Sequence, residues 1–282
     1  MTTEPSGPRA WANKLVTLWG ARFPVDVRQI ALEYSKQRFD DPVHKIVEAD
    51  VPSFEGALAP LKKRQAWAIL YNPTIRSSGR INYTLGHELG HYLCHRHQTP
   101  DGFECGQSDV LGGNLQQERE ADLFASYLLM PLNDFREQVG SGAMTFDLLR
   151  HCADRYAVSL TAAALKWLES TGQCAAVVVA TNGFVLWCRR SVAAERARIF
   201  FPSGMELPAQ SAAAKATTLA AADPVVHPPG IWWNRPTHEV AIFADHYEMT
   251  ISLLVFEEHG YLPNGWEEEE VLDTFDMFEG RR

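Results

Sequence analysis

The sequence His-Glu-Leu-Gly-His at residues 87–91 constrains the fold of this chain more than any other feature. Side chains four residues apart in an α-helix lie one above the other on the same face. His87 and His91 can therefore reach one metal ion together if this segment is helical. The fold must then contain a helix whose two histidines face the same point.

The residues around this pentapeptide also favour a helix. Leucine recurs at four-residue spacing, at Leu85, Leu89 and Leu93, as expected where one side of a helix is buried. Residues 77–79, Ser-Ser-Gly, are of the types that cap a helix at its N-terminus. We therefore predict a helix over residues 80–97.

Glu88 adds a candidate catalytic group. Because it is next to the first histidine, its carboxylate can lie beside the ion and accept a proton from water that attacks a carbonyl group. Zinc makes such chemistry feasible near neutral pH, since it lowers the pKa of bound water to about 7. The intermediate also needs a hydrogen-bond donor, for which Tyr92 and Tyr127 are candidates, although a core position is the commoner role of such tyrosines.

A catalytic zinc site needs a third protein ligand, and two histidines are the first candidates. His95 continues the four-residue spacing, but eight helical residues span about 12 Å, too far for it to share one ion with His87. We interpret His95 as a surface or helix-end histidine. His97 has the spacing of the HExxHxxGxxH pattern, in which a glycine lets the chain turn back. Cys94 stands at that glycine position, where a residue with a Cβ is strained.

Another candidate for the third ligand is Glu118, in the next predicted helix. Glu118 and Asp122 are four residues apart and therefore lie on one helix face. A carboxylate at the first position can bind zinc, and one at the second can hydrogen-bond a ligand histidine and fix its tautomer. Spacing alone leaves both His97 and Glu118 open as the third ligand.

Composition argues against several other classes of protein. Five cysteines without a CxxC pair, and an N-terminus without an apolar signal segment, predict free thiols in the cytoplasm. No apolar run approaches the roughly 18 residues that a membrane-spanning helix needs. The net charge of −9 opposes direct binding to nucleic acid. We expect a soluble, cytoplasmic protein without a membrane or nucleic-acid partner.

The spacing of apolar residues predicts an α+β chain in three parts. The first part, residues 1–140, begins with two amphipathic helices and continues with three short strands, in the runs KIV, GALA and WAILY. The helix of the pentapeptide follows. After a polar loop at residues 98–114, a further helix covers residues 115–130 and stops at Pro131.

The second and third parts follow in the remaining sequence. Residues 141–172 contain two predicted helices, 145–156 and 159–170, which suggest a helix-turn-helix shape. Residues 173–282 form a predicted α+β domain. Its predicted strands are 174–179, 184–188, 199–201, 240–243 and 251–256, with an alanine-rich helix at 210–222 and a last helix at 266–278.

The helix that follows the polar loop carries a longer pattern. Residues 118–131 read EREADLFASYLLMP. Together with HELGH they resemble the ImmA/IrrE family of metallopeptidases, whose second motif is E-x-E-A-x-x-F-A-x-x-L-L-M-P. Residues 80–87 are similar to the R-x-x-F-T-L-A-H of that family, with Tyr83 in place of Phe and Gly86 in place of Ala. The resemblance covers roughly residues 10–170.

The resemblance implies a set of site residues and a fold. It implies that Zn²⁺ is bound by His87, His91 and Glu118, with Glu88 as the general base, while Asp122 keeps the supporting role given above. The implied fold is a thermolysin-like minimal metallopeptidase domain. In this chain the helix-turn-helix-like segment and a C-terminal α+β domain similar to GAF domains would follow it.

The resemblance also implies an activity and partners. Members cleave a helix-turn-helix transcriptional repressor, of the XRE type, encoded nearby, so we expect such a protein substrate in a stress or induction response. A small-molecule effector would bind at the C-terminal domain. The alternative function is that of a non-proteolytic, zinc-containing regulator or sensor acting through its C-terminal domain.

Overall fold

Two helical segments open the chain, as the apolar spacing predicts. α1 (Pro8–Trp19) begins with proline, whose fixed backbone angle suits the first turn of a helix. α2 (Val27–Gln29) continues through a π-helical turn (Ile30–Tyr34) into α3 (Ser35–Arg38). The computed structural model describes residues 4–50, 55–75, 77–105, 115–215, 224–244 and 249–257.

The first sheet has four strands within the described residues. They are β1 (Val43–Glu48), β2 (Gly56–Leu61), β3 (Ala66–Tyr71) and β4 (Phe103–Cys105), in the spatial order β1-β3-β2-β4. β1 is parallel to β3, and the other pairs are antiparallel. The three strands predicted from the apolar runs are confirmed.

The loop predicted at residues 98–114 is wrong at β4. There the backbone of Phe103–Cys105 pairs with residues 56–58 of β2. A polar sequence does not exclude a strand, because a distant strand edge can supply the backbone hydrogen bonds. Residues 106–114 of the predicted loop lie outside the described residues.

Two helices carry the motifs found in the sequence. α4 (Ser78–Cys94) is capped by Ser77, whose side chain accepts a hydrogen bond from the N–H of Arg80. It ends three residues earlier than predicted, at Cys94. α5 (Leu115–Leu129) stops shortly before Pro131, as predicted.

α4 and α5 approach each other closely because small residues face one another. A Cβ at Gly90 of α4 would lie 3.1 Å from the Cα of Ala121 on α5. One turn earlier there is slightly more room, since a Cβ at Gly86 would lie 3.3 Å from the Cβ of Ala125. This contact holds the first turns of α5 next to the second half of α4.

Three short helices follow α5: α6 (Leu132–Val139), α7 (Phe146–Tyr156) and α8 (Leu160–Ser170). Thr145 and Ser159 cap α7 and α8, each accepting a hydrogen bond from a backbone N–H three residues further on. α7 and α8 confirm the two helices predicted here. Their helix-turn-helix role stays a prediction.

The described residues beyond α8 form a five-stranded antiparallel sheet and two short helices. The strands lie in the spatial order β6-β5-β9-β8-β7. The elements are β5 (Ala175–Thr181), β6 (Phe184–Arg190), α9 (Val192–Arg196), α10 (Ala212–Lys215), β7 (Val225–His227), β8 (Thr237–Ala244) and β9 (Met249–Phe256). The architecture is α+β, and the likeness of this part to GAF domains stays a prediction.

The two faces of this sheet are buried in different clusters. Val177 and Leu253 belong to the apolar core that also contains Trp167 of α8. On the other face, Val178 packs in a second cluster with Phe201. Because one core is shared, the sheet is held directly against α8.

One of the elements predicted in residues 173–282 is wrong, and others are confirmed or lie outside the described residues. The strand predicted at residues 199–201 is wrong, although Ile199 and Phe201 are buried against the sheet. An apolar triplet indicates burial, which a loop can also achieve. The alanine-rich helix is confirmed over α10, whereas residues 216–223 and the helix predicted at 266–278 lie outside the described residues. Among the described helices, none has the length and apolarity that a membrane crossing requires.

Candidate metal centre

Three side chains from α4 and α5 converge on one point. They are His87, His91 and Glu118, the group of potential ligands found close together in the described part of the chain. Nε2 of His87 lies 3.0 Å from Nε2 of His91 and 3.1 Å from Oε2 of Glu118. Nε2 of His91 lies 3.3 Å from Oε1 of Glu118.

The spacing of these atoms suits a zinc ion. Zinc binds imidazole nitrogen and carboxylate oxygen at about 2.0–2.2 Å, so adjacent ligand atoms in a tetrahedral site lie about 3.3–3.5 Å apart. The observed separations of 3.0, 3.1 and 3.3 Å are close to that range. Two imidazoles and a carboxylate also form a donor set of catalytic zinc sites, which keep a fourth position for water or substrate.

A carboxylate holds the other side of the His87 ring. Nδ1 of His87 lies 3.0 Å from Oδ1 of Asp122. An ionised carboxylate only accepts hydrogen bonds, so Nδ1 of His87 carries the proton and donates it. Nε2 of His87 then presents a lone pair to Glu118 and His91. The structure thus brings Asp122 to the position that its predicted supporting role requires.

A longer chain of hydrogen bonds holds His91. Nδ1 of His91 lies 3.2 Å from Nδ1 of His95, and Nε2 of His95 lies 3.0 Å from Oε2 of Glu120. Nε2 of His95 donates to this carboxylate, so a neutral His95 accepts at Nδ1 the hydrogen bond from His91. Nε2 of His91 therefore also presents a lone pair. Lone pairs of two imidazoles and a carboxylate meet at one point, an arrangement that a cation stabilises.

Burial and the neighbouring groups of the centre set the ionisation of these ligands. Burial lowers the pKa of His91 from its ordinary value, so the imidazole is neutral near pH 7. Burial acts to raise the pKa of Glu118, but the facing imidazoles of His87 and His91 outweigh burial and hold that pKa well below the usual range. Neutral imidazole and ionised carboxylate are the forms that bind metal ions.

Glu88 is fully buried on α4, beside the start of β2. A Cβ at Gly56, the first residue of β2, would lie 2.6 Å from Oε1 of Glu88 and 2.5 Å from Cγ2 of Thr84. Glycine therefore leaves the space that the carboxylate occupies. β2 therefore lies directly against the buried carboxylate of Glu88.

The other histidine and cysteine candidates lie elsewhere. His97 is exposed in the turn that follows α4. His95 is at the helix end, as predicted, but it is buried rather than on the surface. Burial raises the pKa of the Cys94 thiol to about 12, so this thiol stays protonated.

The two tyrosines considered as oxyanion donors have other acceptors. The hydroxyl of Tyr92 donates to the backbone carbonyl of Asp41 at 3.1 Å. The hydroxyl of Tyr127 donates to Oε1 of Glu169 at 2.6 Å. Each hydroxyl has a single proton to donate, so neither tyrosine is arranged as a donor to an oxyanion.

The roles of three residues around the centre were not predicted from the sequence. These residues are His95, as a partner of His91, Glu120 and Gly56. Glu120 is the second glutamate of the E-x-E motif, and its presence two residues after Glu118 was a usable signal. Gly56 begins a predicted strand, and glycine in a strand often marks a close backbone approach. The spacing of residues in the sequence did not indicate that His95 would connect Glu120 to His91 through hydrogen bonds.

A comparison with protein families finds a match for the part of the chain that carries this centre. Residues 40–168, just under half of the chain, match the M78 peptidase family model described as the IrrE N-terminal-like domain. This part of the chain is therefore an ImmA/IrrE domain. His87, His91 and Glu118 all lie within the matched residues, so the candidate centre is part of the ImmA/IrrE domain. No curated protein sequence matches the chain.

A solved structure resembles the chain over a greater length. A Mycobacterium tuberculosis transcriptional regulator matches with a TM-score of 0.56 and 13% sequence identity, covering 88% of this chain and 75% of that chain. At this identity the likeness concerns the fold alone. Since the match covers more of the chain than the ImmA/IrrE domain does, the shared fold extends beyond that domain.

Proposed function

We propose that the chain is a zinc-dependent endopeptidase that cleaves a helix-turn-helix transcriptional repressor in a stress or induction response. The observation that carries this proposal is the convergence of His87, His91 and Glu118 on one point, with Glu88 buried on the same helix as the histidines. A zinc site that only stabilised the fold would not need that additional carboxylate. Membership of a peptidase family supports the same interpretation.

The residues of the centre have different roles in the proposed hydrolysis. His87, His91 and Glu118 would hold the zinc ion. When bound, zinc lowers the pKa of water and polarises the carbonyl group of the substrate. Glu88 accepts a proton from the attacking water and then delivers it to the leaving nitrogen. Its burial next to Gly56 holds the carboxylate in one position, which general-base catalysis requires.

The class of substrate rests on the family and not on the geometry of the centre. ImmA/IrrE peptidases are expected to act on repressors, as stated above. The similar Mycobacterium tuberculosis protein is named a transcriptional regulator, which is compatible with a regulatory role here. The division into residues 1–140, 141–172 and 173–282, with the last part acting as a sensor-like or interaction domain, belongs to the same proposal.

The test compares the parent chain with Glu88→Gln. Glutamine keeps the size and the hydrogen bonding of the side chain but cannot take up a proton. Each zinc-loaded protein is incubated with the helix-turn-helix repressor encoded beside it, and mass spectrometry follows cleavage. General-base assistance contributes roughly 10²–10⁴-fold, so we expect the rate to fall by at least about a hundredfold at unchanged zinc content.

A Glu88→Gln protein that cleaves the repressor at close to the parental rate would contradict the role of Glu88. The non-proteolytic regulator acting through its C-terminal part would then be the better hypothesis. The repressor itself must be used in this assay. A peptidase specific for one repressor can ignore casein, so inactivity on casein would not decide the question.

A further inference from the structure

A cleft of about 910 Å³ adjoins the candidate metal centre. Arg80, Tyr83 and Thr84 of α4 line it. They precede His87 by seven, four and three residues, so they lie on the same stripe of the helix. Asp122 of α5 also lines the cleft while its Oδ1 contacts Nδ1 of His87. Through Asp122 the cleft therefore reaches the Nδ1 side of His87, and it follows one face of α4 towards the N-terminus of that helix.

The opposite wall of the cleft comes from the C-terminal sheet. It consists of Val179 of β5, Trp187 of β6, and Met249 and Ile251 of β9. Leu165 of α8 also lines the cleft. The match to the ImmA/IrrE domain ends at residue 168. One wall is thus supplied by the family domain and the other by the sequence that follows it.

The cleft has an exposed rim and a buried floor. Asp122 and Arg150 are exposed, whereas Lys166 and Ile251 are buried. Nζ of Lys166 donates hydrogen bonds to Oγ of Ser126 at 3.3 Å and to the carboxylate of Glu169 at 3.0 Å. The floor thus combines apolar side chains with a small number of fixed polar groups, as binding clefts commonly do.

Each cation of the lining is paired with a carboxylate. Arg80 pairs with Glu55, which also lines the cleft. Arg150 lies 3.1 Å from Asp147, and Lys166 is paired as described above. Such a lining has little net attraction for a small anion. It suits a ligand that is neutral overall and alternates polar and apolar groups, which is the character of an extended polypeptide.

We propose that this cleft receives the polypeptide substrate on one side of the scissile bond, with an apolar side chain of the substrate packed among Leu165, Trp187 and Met249. This inference rests on the proposed endopeptidase function. It assigns to the C-terminal sheet the selection of the sequence that is cleaved. Substrate specificity then depends on residues outside the ImmA/IrrE domain.

Hydroxamates test the cleft without requiring hydrolysis, because the hydroxamate group itself binds zinc. Acetohydroxamate probes the metal centre alone. Two series of dipeptide hydroxamates, extended from either side of the metal-binding group and carrying Gly, Leu or Phe, probe the cleft as well. With the zinc-loaded full chain, we expect one series to bind at least about tenfold more tightly with Leu or Phe than with Gly. Calorimetry or competition with a fluorescent hydroxamate measures each dissociation constant.

Variants of the cleft residues show where the Leu or Phe side chain of the hydroxamate binds. Trp187→Ala and Met249→Ala should each remove most of the gain from Leu or Phe while leaving acetohydroxamate binding unchanged. Leu186→Ala is the matched control, because Leu186 is the exposed neighbour of Trp187 on β6 and does not line the cleft. Circular dichroism confirms that each variant is folded.

The possible results separate the two proposals. If acetohydroxamate binds but neither peptide series gains from an apolar residue, the cleft proposal is overturned. The proposal would also be overturned if hydroxamates with Leu or Phe still bound more tightly than those with Gly in both Trp187→Ala and Met249→Ala. If peptide hydroxamates bind as expected but the parent chain leaves the repressor intact, the proposal of repressor cleavage fails, and the cleft remains supported only as a peptide-binding site. Absence of both zinc and acetohydroxamate binding would overturn both.

Discussion

His91 and His95 are joined by a hydrogen bond between their Nδ1 atoms, which lie 3.2 Å apart. Only one of these nitrogens can carry the shared proton. Nε2 of His95 lies 3.0 Å from Oε2 of Glu120 and uses its own proton there, so the shared proton belongs to His91. His95 therefore fixes the tautomer in which Nε2 of His91 faces the metal position.

We expect His95→Leu to weaken zinc binding by about 10- to 100-fold, the usual effect of removing a residue that orients a metal ligand. Leucine fills a buried position but cannot accept the hydrogen bond from His91. His95→Gln should recover part of the loss, because its side-chain oxygen can accept that bond. Competition with a chromophoric chelator measures the zinc dissociation constant.

His97→Leu is the matched control for that experiment. His97 is two residues further along and exposed, so its replacement should leave zinc affinity unchanged. The visible spectrum of the cobalt-substituted protein gives a second measurement, since it responds to the orientation of the ligands. Parental zinc affinity in His95→Leu would show that this contact does not orient His91.

Glu118→Ala should weaken zinc binding more severely than any change at His95, by more than about a hundredfold, because it removes a ligand. The parent should bind about one zinc ion per chain, as two imidazoles and one carboxylate suit a single divalent ion. Metal analysis and chelator competition measure both quantities. If His97→Ala lost zinc while Glu118→Ala kept it, the third ligand would be His97.

Two glycines of α4 offer a comparison within one helix. Gly86→Ala should be tolerated, since a methyl group there would lie 3.3 Å from the Cβ of Ala125 and alanine favours the helix by about 1 kcal/mol. Gly90→Ala should lower the free energy of unfolding by about 1–3 kcal/mol, because its methyl group would meet the backbone of Ala121 at 3.1 Å. Denaturant unfolding measures both changes.

Gly90→Ala should also weaken zinc binding. Ala121 is three residues after Glu118 on α5, so a displacement of this turn moves the carboxylate ligand away from the histidines. Gly86→Ala is the control in the same zinc assay. Equal zinc affinity and stability in the two variants would show that close packing at Gly90 does not position Glu118.

The sequence predicts the parts of this centre that depend on helical periodicity. His87 with His91, and Glu118 with Asp122, are pairs at four-residue spacing, and each pair is placed by the geometry of one helix. The resemblance then selected Glu118 over His97. The helix ends early enough to leave His97 exposed, which spacing alone did not reveal.

The remaining features depend on contacts between distant segments. Glu120 of α5 reaches His95 at the end of α4, and Gly90 lets these two helices lie close together. In the C-terminal part, the apolar residues at 199–201 predicted a strand, but the structure buries them without strand pairing. Hydrophobicity predicts that a residue is buried. Which residues it then contacts depends on the packing of the whole chain.

The last prediction concerns Gly56, whose contact with Glu88 could not be read from the sequence. A methyl group on Gly56 would lie 2.6 Å from Oε1 of Glu88 and 2.5 Å from Cγ2 of Thr84. We expect Gly56→Ala to displace the Glu88 carboxylate and to slow repressor cleavage by at least about tenfold, towards the roughly 10²-fold or greater loss expected for Glu88→Gln. Zinc affinity should stay close to parental.

Gly142→Ala is the matched control, because no atom lies within 4 Å of the position that a Cβ would take there. It should leave both cleavage and zinc binding unchanged. Gly56→Ala with reduced cleavage and parental zinc content would link β2 to the position of the general base. If the same variant lost zinc as well, β2 would support the whole centre. If it cleaved the repressor at the parental rate, Glu88 would tolerate displacement, and the confinement of this carboxylate by β2 would have no part in catalysis.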